Sequence, residues 1–419
     1  MRRSYGTAAT IAVVTVAGLV LSSCGSRASD TAGGAPAPGA SCLDTSGPSV
    51  KVGTVNSLSG ATAINEVVIR DVTEMAIEQI NADGGVLGKQ LELISEDGAS
   101  EPAVFAEKAQ KLVRSDCVAA VFGGYTSASR KAMLPVFEDD DALLYYGTYY
   151  EGMEASPNIF YTGAAPNQQT VPALEFLVEQ GVTSLYLVGS DYVYPRTSNA
   201  IVKAFAEAHG IEIKGEDYVP LGGTEFSTIA NKIRAAQPDA VFNVVVGDSL
   251  VPFFREYRNS GMSPDNIPVI SMSVGEEEIR SIGAATVAGN WSTWNYFQTL
   301  DSPENAAFVA EFRARHGVDR VTSDAMESAY TSIFLWREMV EKAGSFDAAA
   351  VREAADGVTF DAPEGRVTVD GDNNHIFKTA RIGEIRDDGL IHAVWDSGEP
   401  IRPDPFLDGY DWAAELSGR

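Results

Sequence analysis

Apolar and polar positions alternate in blocks along most of this chain. Residues 49–58 (SVKVGTVNSL) read as a strand that runs into a polar turn. Val68, Val72, Met75, Ala76 and Ile80 then recur at helical spacing, and Asn81-Ala82-Asp83-Gly84-Gly85 stops that helix. Residues 90–96 form the next predicted strand and 103–113 the next helix. The clearest unit follows: an apolar run at 117–122, a break at Gly123-Gly124, a helical pattern over 128–137, and a second apolar run at 142–146. Each run ends in a turn rich in hydroxyls and rings, Tyr125-Thr126-Ser127 after the first and Gly147-Thr148-Tyr149-Tyr150 after the second. Strands alternating with helices predict a doubly wound parallel sheet, in which ligands lie beyond the carboxyl ends of the strands.

The alternation restarts after a short apolar crossing at 158–164. A helix to about 180 leads to a strand at 184–188 and the turn Gly189-Ser190-Asp191-Tyr192-Val193-Tyr194. Further strands are predicted at 215–219, 240–246 and 269–272, the last two ending in Gly247-Asp248-Ser249 and Ser273-Val274-Gly275-Glu276. Residues 291–297 cross back, and helices at 304–316 and 323–343 rejoin the first half. The tail from 366 onward reads as short antiparallel strands. The prediction is an α/β protein of two doubly wound lobes joined by hinge crossings. Residues 49–163 with 296–375 form one lobe, and 164–295 with 376–419 the other.

The first 48 residues do not fit either lobe. Arg2-Arg3, an apolar stretch from Ala8 to Val20 and Leu21-Ser22-Ser23-Cys24 have the layout of a secretory signal over 1–23. Leu-Ser-Ser-Cys-Gly resembles a bacterial lipobox, which makes Cys24 the expected lipidated first residue of the mature chain. Residues 24–48, mostly Gly, Ala, Ser, Pro and Thr, read as a flexible tether. The net charge of −27 disfavours nucleic acid and anionic lipid as partners, leaving the lipid anchor as the expected membrane contact. In an oxidising compartment Cys42 and Cys117 are expected to form a disulfide, with two free thiols as the alternative.

Catalytic chemistry is not indicated. His209, His316, His375 and His392 include no pair at metal-ligand spacing. Neither a nucleophile elbow nor a phosphate loop opens any predicted helix, and no cofactor is expected. The predicted strand ends instead gather Ser59, Tyr125, Thr126, Ser127, Tyr146, Thr148, Tyr149, Asp191, Tyr192, Tyr194, Gly247, Asp248 and Glu276. That set offers hydroxyl donors, aromatic walls and few charges, which suits a small ligand shielded from water.

The order of lipobox, tether and two α/β lobes resembles the solute-binding proteins of ABC importers in the leucine/isoleucine/valine-binding branch. GGYTSASRKAMLPVFE, YEGMEASPNIFYTGAAPNQQ, VGSDYVYPRTSNA, FDAPEGRVTVDGDNNH and EPIRPDP are similar to stretches of urea-transporter binding proteins and of the amide sensor of aliphatic amidase expression. The resemblance spans about 50–405 and implies the type I periplasmic binding protein clamshell. It places Tyr125, Ser127, Tyr146, Thr148, Tyr149, Tyr192 and Tyr194 in ligand-pocket segments and implies ABC permease partners. Tyr125 stands where urea-binding relatives have Trp, and Thr148 also departs from their pattern, so urea and a short-chain amide both stay open as ligand. A lipid-anchored sensor of the same fold is the alternative role.

Overall fold

A computed structural model describes residues 42–416. The predicted signal, Cys24 and most of the tether lie outside the described residues. Strands β1 (Ser49–Asn56), β2 (Gln90–Asp97), β3 (Val121–Gly123), β4 (Leu144–Tyr146) and β5 (Ile159–Tyr161) come first. They are followed by β6 (Ser184–Ser190), β7 (Glu212–Val219), β8 (Ala240–Val244), β9 (Val269–Ser271) and β10 (Trp291–Trp294). The last five are β11 (Thr359–Ala362), β12 (Gly365–Asp370), β13 (His375–Phe377), β14 (Arg381–Ile385) and β15 (Ile391–Asp396).

Two sheets result. One has the order β11-β12-β13-β5-β4-β3-β1-β2, the other β15-β14-β10-β9-β8-β6-β7. Each contains five consecutive strands in the arrangement 2-1-3-4-5, all parallel. Antiparallel pairs occur only where the tail adds strands at the edges, β11 on β12 on β13 and β15 on β14 on β10. The repeated order marks one switch point per sheet, between β1 and β3 and between β6 and β8.

Side-chain alternation explains the apolar runs. Val121, Leu144 and Ile159 point to one face, where they meet Phe105, Leu112, Met133 and Phe137 from the helices Pro102–Arg114 and Ser127–Asp139. Phe122, Tyr145 and Phe160 point to the other, against Trp336 and Met339 of the helix Asp324–Ala343. Both faces are covered, so both registers must be apolar. The run expected from 117 pairs as a strand only from Val121, because Cys117 sits at φ +58° and is bonded to Cys42, with a Cα–Cα distance of 5.3 Å. Ala119 and Ala120 already share hydrogen bonds with Lys51 and Gly53.

Three segments connect the sheets: 162–169 after β5, 295–302 after β10, and 378–380 between β13 and β14. Gln168 Nε2 donates to the carbonyls of Ile376 and Ile401, both at 2.9 Å, and Asn295 Nδ2 donates to those of Gln168 and Thr379. The crossings are thus tied to one another by amide side chains. Among the described residues no helix is long and apolar enough to cross a membrane.

Candidate functional site

The carboxyl ends of the two parallel sheets face one another, and the lobes are closed. Asp248 N donates to Ala61 O at 3.2 Å, and Asn65 Nδ2 to Glu278 Oε1, each bond joining one lobe to the other. Gly247 is needed at this contact: its φ is +68°, and a Cβ would lie 2.5 Å from Ala61 O. At the first switch point Gly123, with φ +117°, brings its backbone to Val55, where a Cβ would lie 2.4 Å from the carbonyl oxygen. That close approach lets the chain leave β3 directly toward the cleft, carrying Tyr125.

Rings wall the chamber between the lobes. Tyr125 and Tyr149 share a hydrogen bond between hydroxyls at 3.3 Å. Tyr149 meets Tyr194 and Trp294 of the opposite lobe edge-on, with centroids 5.2 and 4.7 Å apart, and Tyr192 lies beside Tyr194. All four tyrosine hydroxyls are held well above their usual pKa by burial, so they are hydrogen-bond donors at any physiological pH. The Tyr194 hydroxyl has no partner among the described residues.

The charged groups that bear on this ring cluster are carboxyls. Glu278 and Glu66 act on Tyr125, Glu278 on Tyr149, and Glu151 on Tyr192 and Tyr194. Glu66 lies in the first turn of the helix Ala63–Ala82 and accepts from Ser57 N at 2.7 Å and Thr62 Oγ1 at 2.6 Å. Glu278 accepts from Gly275 N at 2.8 Å and from Asn65. Burial pushes Glu66 up to about 8 and Glu278 up to about 7, so both sit near their titration points at neutral pH.

Not every residue expected at the site lines this chamber. Tyr125, Thr148, Tyr149, Tyr192 and Tyr194 converge, with Thr126 buried at the start of the helix that follows Tyr125. The Ser127 hydroxyl is taken up inside its own lobe: it donates to Glu151 and accepts from Arg130 Nη1 at 3.1 Å. Tyr146 is also in that lobe's interior, its ring 4.8 Å from the Arg130 guanidinium. Asp191 is half exposed and paired with Arg196 at 2.6 Å, because its peptide continues β6 while its side chain turns to solvent. Asp248 is exposed, and Ser59 is exposed with its hydroxyl 3.3 Å from Asp97. Glu276 is buried but accepts from Gln298 N at 2.8 Å, away from the rings. Of the acidic run, Glu278 is the member that bears on the rings, whereas Glu277 pairs with Arg280 at 3.0 Å and reaches Arg320 of the other lobe at 3.5 Å.

Glu66, Asn65, Glu278 and Trp294 were not expected here. Asn65 and Glu66 lie in the first turn of the helix Ala63–Ala82, ahead of the apolar-spaced positions that predict it, and nothing in that turn's sequence marks it as facing a cleft. Trp294 lies on a segment read only as a crossing.

Residues 50–411 match the family model of the periplasmic binding protein domain, and the chain belongs to that family. It is similar to Leu/Ile/Val-binding protein homolog 6 of Brucella suis, with 26% identity over 355 residues that cover 82% of this chain and 90% of that one. The leucine-, isoleucine-, valine-, threonine- and alanine-binding protein of Pseudomonas aeruginosa is 26% identical over 330 residues, covering 77% and 86%. The solved structure of an ABC-transporter solute-binding protein from R. palustris in complex with 4-hydroxybenzoate has a TM-score of 0.78 at 25% identity, over 86% of this chain and all of that one. The chain is a substrate-binding protein of an ABC transporter, extracytoplasmic and not an enzyme, with a small ligand and permease subunits as its partners.

Proposed function

We propose that this protein captures urea, or a short-chain amide such as acetamide, between its lobes and delivers it to the permease of an ABC importer. The observation that carries this reading is the charge of the chamber: tyrosine hydroxyls, and carboxyls as the charged groups that bear most on them, Glu278 and Glu66 on Tyr125, Glu278 on Tyr149 and Glu151 on Tyr192 and Tyr194. An amide NH₂ donates to Glu66 or Glu278, and its carbonyl accepts from a tyrosine hydroxyl. A benzoate or another carboxylate would face Glu66 and Glu278 without a counter-charge, a costly arrangement in a buried site. Tyr149 packs directly on Tyr194 and Trp294 across the closed lobes, which favours a small ligand over one with a long side chain. The binding lobes are taken as 49–163 with 296–375 and 164–295 with 376–419, closing on ligand about the three crossings.

Titration calorimetry tests the ligand. Urea is expected to bind, acetamide and formamide to follow, and leucine and 4-hydroxybenzoate to give no heat of binding. Tight binding of leucine or 4-hydroxybenzoate with no response to urea or the amides would overturn the assignment.

We further propose that Cys24 carries the lipid anchor, supported by Leu21-Ser22-Ser23-Cys24 and the tether that follows. Cys24→Ala is expected to move the protein from the membrane fraction to the soluble extracytoplasmic fraction. Membrane retention equal to wild type would refute it.

A further inference from the structure

A second group of buried charges lies beneath the ligand chamber, where the crossings meet. Lys378 belongs to the third crossing and is fully buried. Its Nζ donates to Thr162 O of the first crossing at 3.0 Å and to Ser328 Oγ at 3.1 Å, and pairs with Glu364 Oε2 at 2.8 Å. Asp324 holds the second crossing, accepting from the backbone N–H groups of Asn295 and Tyr296 at 2.9 and 3.0 Å. Glu327, one turn further along the same helix, accepts from Thr331 Oγ1 at 2.8 Å and from Glu364 N at 3.3 Å. Its second oxygen and the second oxygen of Asp324 have no hydrogen-bond partner among the described residues.

The charges do not balance. Three buried carboxyls, Glu364, Asp324 and Glu327, share the Lys378 ammonium. Arg381 of β14, which donates to the carbonyls of Asn295, Thr379 and Glu364, adds a second cation at the edge of the cluster, and Glu276 adds a fourth buried acid beside Asp324, so acids still outnumber cations. An excess of buried negative charge is unfavourable in a dry site and less so in a wet one. The start of the helix Asp324–Ala343 is also the floor of the cleft. A cavity of about 10 Å³ separates Tyr125 and Thr148 from Ala325 and Ala329, and a Cβ on Gly147 would lie 3.1 Å from Ala329 N. Opening the cleft brings water toward this floor.

We propose that Lys378, Glu364, Asp324 and Glu327 form an electrostatic pivot that sets the balance between open and closed lobes, and through it ligand affinity, without touching ligand. This rests on the reading that the lobes close on a bound molecule. Lys378 favours closure by neutralising the dry cluster; Glu327 opposes it when ionised. Burial raises the pKa of Glu327 and brings Asp324 to about 6, so acid acts in the same direction as removing one carboxylate charge. Burial alone would lower the pKa of Lys378, but Glu364, Asp324 and Glu327 outweigh it, and the ammonium stays charged.

The pivot predicts opposite effects from two changes in one cluster, which a purely structural role does not. Glu327→Gln keeps the acceptor for Thr331 and Glu364 N and removes the charge. It is expected to raise the closed fraction seen by small-angle scattering without ligand, and to tighten urea binding roughly threefold to tenfold. Lys378→Met is expected to open the lobes and weaken binding roughly tenfold or more. Wild-type dimensions without ligand should shrink from pH 8 to pH 6, and less so in Glu327→Gln. If Lys378→Met does not fold, Glu327→Gln decides: unchanged or more open lobes overturn the pivot. If the scattering follows these expectations while urea gives no binding in any variant, the pivot stands and the ligand assignment fails.

Discussion

Arg130→Met is expected to cost about 3–5 kcal/mol of folding stability, the range for breaking a buried ion pair from one side. Arg130 is fully buried, bonded to Glu154 at 2.7 Å and Glu151 at 3.3 Å, and its guanidinium lies 4.8 and 4.6 Å from the rings of Tyr146 and Tyr150. Methionine fills much of the space and keeps contact with the rings, but it leaves Glu151 without its close partner. Lys131 is 3.8 Å from Glu151 and partly exposed, and it compensates only in part. The same change removes one of the two partners of the Ser127 hydroxyl and loosens the peptide after Tyr125, so ligand affinity should fall with stability. Guanidinium unfolding is the suitable measurement, since urea is the proposed ligand. A loss below about 1 kcal/mol would show that the cluster is not a structural keystone of this lobe.

Acidification from pH 8 to pH 6 is expected to stabilise the ligand-free protein. Burial holds the folded-state pKa values of Glu66 and Glu276 at about 8, Glu278 at about 7 and Asp324 at about 6, all above the values of the unfolded chain. Over that interval the folded protein keeps protons that the unfolded chain has lost, so stability falls as pH rises. One proton held across two pH units corresponds to about 2.7 kcal/mol. The trend reverses at lower pH. Burial lowers His375 to about 3, and although burial works against it, Arg130 and Lys131 bring Glu154 down to about 2. Their contributions are lost as pH falls below the unfolded values near 6.5 and 4.5 respectively. Thermal midpoints should therefore be higher at pH 6 than at pH 8. A midpoint that is flat or higher at pH 8 would mean these acids are ionised and solvated in the folded state.

Much of the architecture was legible in the chain because period and punctuation are local properties. The helices expected at 304–316 and 323–343 lie within two residues of Pro303–His316 and Asp324–Ala343. Strand lengths were less legible. The run from 117 and the run from 142 are apolar for burial alone, and only part of each carries ladder hydrogen bonds. At the site, the turns after β3 and β4 announced Tyr125, Thr148 and Tyr149 through their position at strand ends. Ser127 has the same credentials in sequence, yet its hydroxyl is committed to Glu151, a residue 24 positions away that no local pattern connects to it.

The alternation of apolar blocks, the glycine-broken strand ends and the unbalanced acidity were properties of the sequence by itself, since each depends on neighbours within a few residues or on composition. Which acids face the ligand chamber was decided by tertiary structure. Glu278 accepts from Asn65 of the other lobe, 213 residues away in sequence, only when one lobe closes on the other. The pairing of Lys378 with Thr162 O and Glu364 likewise exists only where three crossings converge. Burial and charge partnership are sums over atoms brought together from distant parts of the chain, and they set which carboxyls keep protons, which hydroxyls stay free and where a small molecule is held.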